Sequence, residues 1–392
     1  MVWPIYPAPL VPGQRIAVTA PSSGVEAALH PRLDLALVHL RSQGFVVEEG
    51  QCLRQEHMGA SAPAAQRATE LMSFLLRDDI QAVLPPWGGE LAIEVLDLLD
   101  WAALAQARPK WLIGFSDTST LLLPLTLRLG WATVHFSGLM DWVPGQSDPL
   151  SAGALPALAT ATGGTLLQRP SSQWQRKWGD FAAEPGCTYA LSETTQWRWL
   201  NPPAPAPAPG LGLGLGLGLG HEVADASAVL PLSPLPPLSP LSPLPTLKLS
   251  GRLIGGCLDT LMHLAGTPFG DVPGFLRRCG SQGTLLYLEN AEMSPTAWVR
   301  ALHALRWHGW LDGLSGVLIG RSAAPDTDKA SQLSYAQALT STLAALPCPV
   351  LVDLDIGHVP PQMLLINGAL AELHVTHRNG AIQDAALRQQ LI

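Results

Sequence analysis

Short apolar runs alternate with longer stretches of helical spacing over the first 150 residues. Arg15 to Ala20 reads as a strand that ends in the turn cluster Pro21-Ser22-Ser23-Gly24. His30 to Gly44 places Leu33, Leu37, Val38 and Leu40 at helical intervals, with Gly44 as a stop. The spacing then predicts a strand at 45–47, a helix over 64–76, a strand at 82–84, a loop from Pro85 to Gly89 and a helix over 91–99. A strand at 111–115 follows, then a helix from about Asp117 that Pro124 should kink. Such alternation implies a parallel sheet covered by helices, with ligands at the carboxyl ends of its strands.

The pattern weakens between Leu150 and Leu200, where Trp174, Trp178, Trp197 and Trp199 gather among polar residues. Burial under a domain junction and stacking on a substrate are both readings of these rings. Residues 202–245 differ in kind: they hold 12 of the chain's 36 prolines and a strict Leu-Gly alternation from Leu211 to Gly220. Proline lacks a backbone donor and glycine loses the most entropy on ordering, so a passive, polyproline-like insert is expected. The repeat is no phosphate loop, because Leu217 stands where Gly-x-Gly-x-x-Gly needs its third glycine.

Regular alternation resumes near Lys248. Strands are expected at 285–288, 316–319 and 350–352, helices over 295–307 and 335–346, and a terminal hairpin around Asn367-Gly368. The expected fold is α/β. An N-terminal parallel-sheet domain (1–150) is followed by a junction with the tryptophans and the insert (151–247), then by a smaller α/β domain (248–392).

Composition narrows the function. A net charge of −8, with no clustered Lys/Arg run, argues against a nucleic-acid or anionic-membrane partner. Five scattered cysteines, none in a Cys-x-x-Cys pair, speak against a zinc ribbon or a disulfide framework. Neither a secretory signal nor an apolar run of bilayer length is visible, so a cytoplasmic location is expected.

The sharpest local signal is Gly114-Phe115-Ser116-Asp117-Thr118. A serine between a strand and a helix exposes its hydroxyl beside the free amides of the helix's first turn, as in Gly-x-Ser-x-Gly with Thr118 in place of the last glycine. The same residues also suit an ordinary N-cap. A nucleophile needs a base and the base an orienting acid. His358, after an apolar strand and Gly357, is the best-placed histidine, with His135 as competitor. Glu289 ends an apolar strand, but spacing alone does not select it among the acids. Asp353, Asp355 and His358 do not form a recognised metal-ligand cluster, so no metal is expected.

Taken in order, Trp87-Gly88-Gly89, Gly114-Phe115-Ser116-Asp117, Gly255-Gly256-Cys257-Leu258, Gly266-Thr267-Pro268, Leu288-Glu289-Asn290 and Gly357-His358 resemble one serine-peptidase family. It includes the LD-carboxypeptidases of murein recycling and the microcin C self-immunity peptidases. The resemblance covers both flanking domains. It implies an N-terminal domain similar to class I glutamine amidotransferases, with Ser116 as nucleophile, His358 as general base and acid, and Glu289 as its orienting carboxylate. The amides of Asp117, Gly88 and Gly89 would form the oxyanion hole. No cofactor is implied, the substrate would be a small peptide or murein fragment, and a homodimer is left open.

Three departures stand out. Cys257 occupies a position where many members carry asparagine, and His135-Phe136-Ser137 stands for His-Gly-Pro. Trp87 replaces an arginine frequent in LD-carboxypeptidases. That replacement weakens the murein assignment, whereas Trp174, Trp178, Trp197 and Trp199 favour the microcin branch, whose members use an aromatic loop near the site; Trp87, Trp174 and Trp178 are the candidate substrate contacts. The competing function is a non-catalytic scaffold on a degenerate peptidase fold, presenting the Pro-rich insert. A glutamine-amidotransferase-like enzyme is weaker, since no cysteine occupies a bend like that of Ser116.

Overall fold

The structure is a computed structural model that describes residues 3–201, 246–327, 329, 331–378 and 381–392. The expected insert at 202–245 lies outside the described residues. The N-terminal part runs β1 (Arg15–Val18), α1 (His30–Ser42), β2 (Val46–Glu49), α2 (Ala64–Leu76), β3 (Ile80–Val83), α3 (Trp101–Gln106), β4 (Trp111–Gly114), α4 (Ser119–Leu129) and β5 (Thr133–His135). The junction holds the short helices α5 (Pro149–Ala152) and α6 (Ala154–Leu158), then β6 (Thr165–Gln168), β7 (Gln173–Trp174), β8 (Glu193–Thr194) and β9 (Arg198–Asn201). After it come β10 (Thr246–Cys257), α7 (Leu258–Leu261), α8 (Val272–Cys279), β11 (Thr284–Glu289) and α9 (Pro295–Trp307). The chain closes with β12 (Gly316–Gly320), α10 (Tyr335–Leu343), β13 (Val350–Leu354), β14 (Leu365–Asn367), β15 (Leu370–Arg378) and β16 (Ala381–Gln390).

The fold is mixed α/β, with a parallel-sheet N-terminal domain and a second domain after it. The first sheet has the order β14-β5-β4-β3-β1-β2, its five N-terminal strands parallel and β14 antiparallel at the edge. The second has the order β6-β16-β15-β10-β11-β12-β13-β9, with a parallel centre from β10 to β13. Both parallel centres are buried on two faces, which is why their strands read as continuous apolar runs.

Local chemistry explains most elements. In α9, Ser294 caps the Ala297 amide, Pro295 takes the first turn, and Trp298, Ala301, Leu302 and Leu305 bury one face. Residues 92–98 form a 3₁₀ helix where an α-helix was expected. The Asn367-Gly368 hairpin does not form either. β14 pairs with β5 in the first sheet, whereas β15 pairs with β10 and β16 in the second. Gly368, at φ 90°, is a crossing between sheets. The buried Asn367 side chain serves as a bridge, accepting from Gly255 N and Tyr287 Oη and donating to Thr133 Oγ1.

One apolar core joins the two halves. It runs from Leu71, Val83 and Leu112 through Leu121, Leu122 and Leu125 of α4 to Leu258, Leu261, Leu288 and Trp298. The bend at the start of α4 is therefore pressed against the carboxyl ends of β10 and β11. No helix among the described residues is long and apolar enough to cross a membrane.

Candidate active site

β4 is buried along its length, and after Phe115 the chain bends into a 3₁₀ turn over Ser116–Thr118 before α4. Ser116 sits at φ 56°, a left-handed conformation that costs a side-chain-bearing residue on the order of 1–3 kcal/mol. Glycines make room for it. A Cβ on Gly88 would lie 2.6 Å from Ser116 Cβ and 2.7 Å from Asp117 N. Neither Ser116 nor Asp117 caps α4 with its side chain, so the simple N-cap reading is not what is observed. Instead, the buried Asp117 carboxylate accepts from Ser22 Oγ at 2.6 Å, Ala92 N at 2.7 Å and Thr120 Oγ1 at 3.1 Å. It braces the bend, a role the sequence did not reveal.

Glu289 ends β11 and is fully buried. Its Oε2 lies 2.8 Å from His358 Nδ1. An ionised carboxylate only accepts, so Nδ1 carries the proton and Nε2 keeps its lone pair. Gly357 permits this approach: its φ is 88°, and a Cβ there would collide with the Glu289 carboxylate. Upstream, Asp355 anchors the loop. It accepts from Arg321 Nη2 at 2.5 Å, Ser171 N at 3.1 Å and Trp197 Nε1 at 3.0 Å. The buried Trp197 thus belongs to the domain junction.

Ser116, Asp117, Gly89, Cys257 and His358 line one cavity of about 320 Å³. Phe115 packs on the imidazole, with ring centroids 4.7 Å apart. No hydrogen bond joins Ser116 Oγ to His358 in this structure; in unliganded sites such contacts commonly tighten only with substrate. Asp259, also at the rim, accepts from the amides of Ala291, Glu292 and Met293 and so fixes the loop after Glu289.

Burial by itself would lower the His358 imidazole, but the facing Glu289 carboxylate outweighs it and holds the ring above its ordinary value. Burial likewise pushes Glu289 up, and His358 brings it below the usual range. Among the described residues one trio of donor atoms is close enough to be considered for a metal: Cys257, Glu289 and His358, all within 4.8 Å. Burial, with Glu289 and Asp259 beside it, pushes the Cys257 thiol well up, so it stays protonated. His358 Nδ1 is already spent on Glu289. This donor set fits a hydrogen-bonded cluster better than an ion.

The three tryptophans expected as substrate contacts each have partners within the protein. Trp87 Nε1 donates to the carbonyls of Ser23 and Gly24. Trp174 lines a separate cavity with Arg321 and Tyr335, and the exposed Trp178 packs on Phe181 and Tyr189. None of them lines the cavity that holds Ser116 and His358.

Comparison with known proteins agrees with this architecture. The LD-carboxypeptidase N-terminal domain model matches residues 16–136, and the LD-carboxypeptidase C-terminal domain model matches residues 250–373. The chain belongs to the LD-carboxypeptidase family. It is 23% identical over 384 residues to the microcin C7 self-immunity protein MccF of Escherichia coli, covering 98% of this chain and 97% of that protein. The fold matches MccF in complex with aspartyl sulfamoyl adenosine at a TM-score of 0.73 and 19% identity, covering 99% of this chain and 100% of that one. It also matches muramoyltetrapeptide carboxypeptidase from Oxalobacter formigenes at a TM-score of 0.64 and 19% identity, covering 96% and 99%.

Proposed function

We propose that this LD-carboxypeptidase family member is a serine peptidase that cleaves an amide bond in a short peptide or peptide-like substrate through Ser116, His358 and Glu289. One observation carries the reading: a serine in a left-handed bend shares its cavity with an imidazole whose Nδ1 is bonded to a buried carboxylate.

Each residue has one task. Ser116 Oγ attacks the scissile carbonyl while its proton passes to His358 Nε2. Glu289 holds the ring in the tautomer that leaves Nε2 free, and stabilises the imidazolium once it forms. The developing oxyanion faces the amides of Asp117 and the Gly88-Gly89 turn, each worth about 2.7–4 kcal/mol in the transition state. Collapse returns the His358 proton to the leaving amine and yields an acyl-serine. Water, deprotonated by His358, then attacks the acyl carbon, and Ser116 leaves with the returned proton.

Two substrate classes fit the family: murein tetrapeptides and aminoacyl nucleotide analogues of the kind MccF binds. Incubation with free murein tetrapeptide and, separately, with aspartyl sulfamoyl adenosine separates them by product. The Ser116→Ala variant is expected to fold normally and lose at least about a thousandfold in turnover on the accepted substrate. Undiminished hydrolysis in that variant would remove Ser116 from the mechanism.

A further inference from the structure

His135 ends β5, beside the strand that delivers Ser116, and the steps above leave it unused. Its side chain is fully buried, yet neither ring nitrogen has a hydrogen-bond partner among the described residues. Glu289 Oε1 likewise meets no ideal hydrogen-bond partner among the described residues, although the Cys257 thiol interacts with the same carboxyl group. The two face one another: His135 Nε2 lies 3.9 Å from Oε1, while Oε2 is taken by His358. Phe115 and Tyr287 meet the ring edge-on, with centroids at 6.5 and 5.3 Å. Tyr287 is in turn fixed by its hydrogen bond of 2.8 Å to Asn367. A buried, unmet donor or acceptor costs about 1–3 kcal/mol, which an apolar side chain would avoid. Local choices that weaken a fold concentrate where function needs them.

We propose that His135 is a positioning residue for Glu289: its neutral ring directs Nε2–H at Oε1 and so keeps Oε2 turned towards His358. This inference rests on the Ser116-His358-Glu289 reading. At 3.9 Å the contact is a charge–dipole interaction rather than a hydrogen bond. Burial of both groups strengthens it relative to the same contact in water. The ring is neutral because burial drives its pKa down to about 4.

The titratable groups facing His358 are Glu289 on β11 and Asp259 and Glu292 at the rim, with Asp141 on the N-terminal side and the neutral His135 on β5. The thiol of Cys257 stays neutral. Of these, Glu289 is the group set between the two imidazoles. Removing His135 leaves that carboxylate to His358 and the Cys257 thiol, so His358 is held at a higher pKa.

The test compares wild type with H135L, H135Q, H135N, E289Q and the H135L/E289Q double variant. The readouts are kcat and KM across pH on whichever of murein tetrapeptide and aspartyl sulfamoyl adenosine the wild type hydrolyses, and melting temperature at pH 7. H135L is expected to lose at least about tenfold in kcat with unchanged KM. The acid limb of its kcat/KM profile should move to higher pH, with no drop in melting temperature. H135Q, whose amide nitrogen reaches the Nε2 position, should recover most of the loss, whereas H135N should not. On the E289Q background, H135L should add less than twofold. Equal activity of H135Q and H135N overturns the proposal even if H135L fails to fold. Full additivity on a crippled E289Q enzyme overturns this proposal alone, whereas an E289Q enzyme as active as wild type overturns it together with the triad.

Discussion

Gly88→Ala isolates the geometry of the bend better than any change to the reacting groups. Gly88 does not hold a left-handed φ, so its backbone accepts alanine without conformational strain. What it lacks is room. The new Cβ would lie 2.6 Å from Ser116 Cβ, 2.7 Å from Ser116 Oγ and 2.7 Å from Asp117 N, where ordinary contact begins at 3.4 Å. Restoring that contact moves the serine, or the 88–89 turn, by about 0.8 Å, and a misplacement of about 1 Å costs on the order of a hundredfold in rate. The same overpacking should cost about 1–3 kcal/mol of stability. Hydrolysis of murein tetrapeptide or of aspartyl sulfamoyl adenosine measures the first effect, and urea unfolding the second. The expected result is a loss of kcat/KM of about 100-fold in a folded protein. A variant within threefold of wild type would show that the close approach of Gly88 to Ser116 has no part in the chemistry.

The remaining predictions concern charge. His135 has a folded pKa of about 4 against 6.5 unfolded, so below pH 6.5 the unfolded chain takes up a proton that the folded chain refuses. The folded state is therefore penalised by about 3 kcal/mol as pH falls from 6.5 to below 4, with no penalty above pH 6.5; H135L should show a correspondingly smaller acid loss in urea titrations, and identical slopes would contradict this. In the Glu289–His358 pair the signs differ. The lowered Glu289 stabilises above its unfolded pKa and fails as pH falls, while the raised His358 stabilises below pH 6.5 and fails as pH rises through its folded value, so E289Q should flatten the alkaline decline. Arg321→Met breaks a buried pair with Asp355 (2.5 Å; side chains 7% and 0% exposed) and should cost about 3–5 kcal/mol in urea unfolding, against under 1 kcal/mol if the pair behaves like a surface one.

Much of the fold was legible because local and global preferences agree. The helices at 64–76 and 295–307 emerge with the expected bounds, since apolar spacing and the prolines at their starts point one way, and Ser294 caps the second. The hairpin at Asn367-Gly368 failed because that dipeptide is a local turn signal, and nothing local says that the two flanking strands belong to different sheets. The 3₁₀ segment at 92–98 reflects the same limit: Asp117, distant in sequence, takes the Ala92 amide.

The bend at Ser116 was readable from a strand, a serine and an incipient helix. The pairing of Glu289 with His358 was not readable from spacing and entered through family resemblance; the structure sets the two 2.8 Å apart. His135 appeared in the sequence as a competing base, with no sign that it lies behind the carboxylate rather than beside the serine.

By itself, then, the sequence determined the alternation of strands and helices, the buried faces and the position of the serine at the strand-to-helix bend. These depend on contacts within a few residues, and periodicity records such contacts. The tertiary structure alone decided which acid meets which imidazole, that β14 closes the first sheet, and that Asp117 braces the bend through Ser22 and Ala92. Those outcomes follow from packing α4 against the ends of β10 and β11, and one-dimensional spacing carries no record of which distant surfaces a shared apolar core will press together.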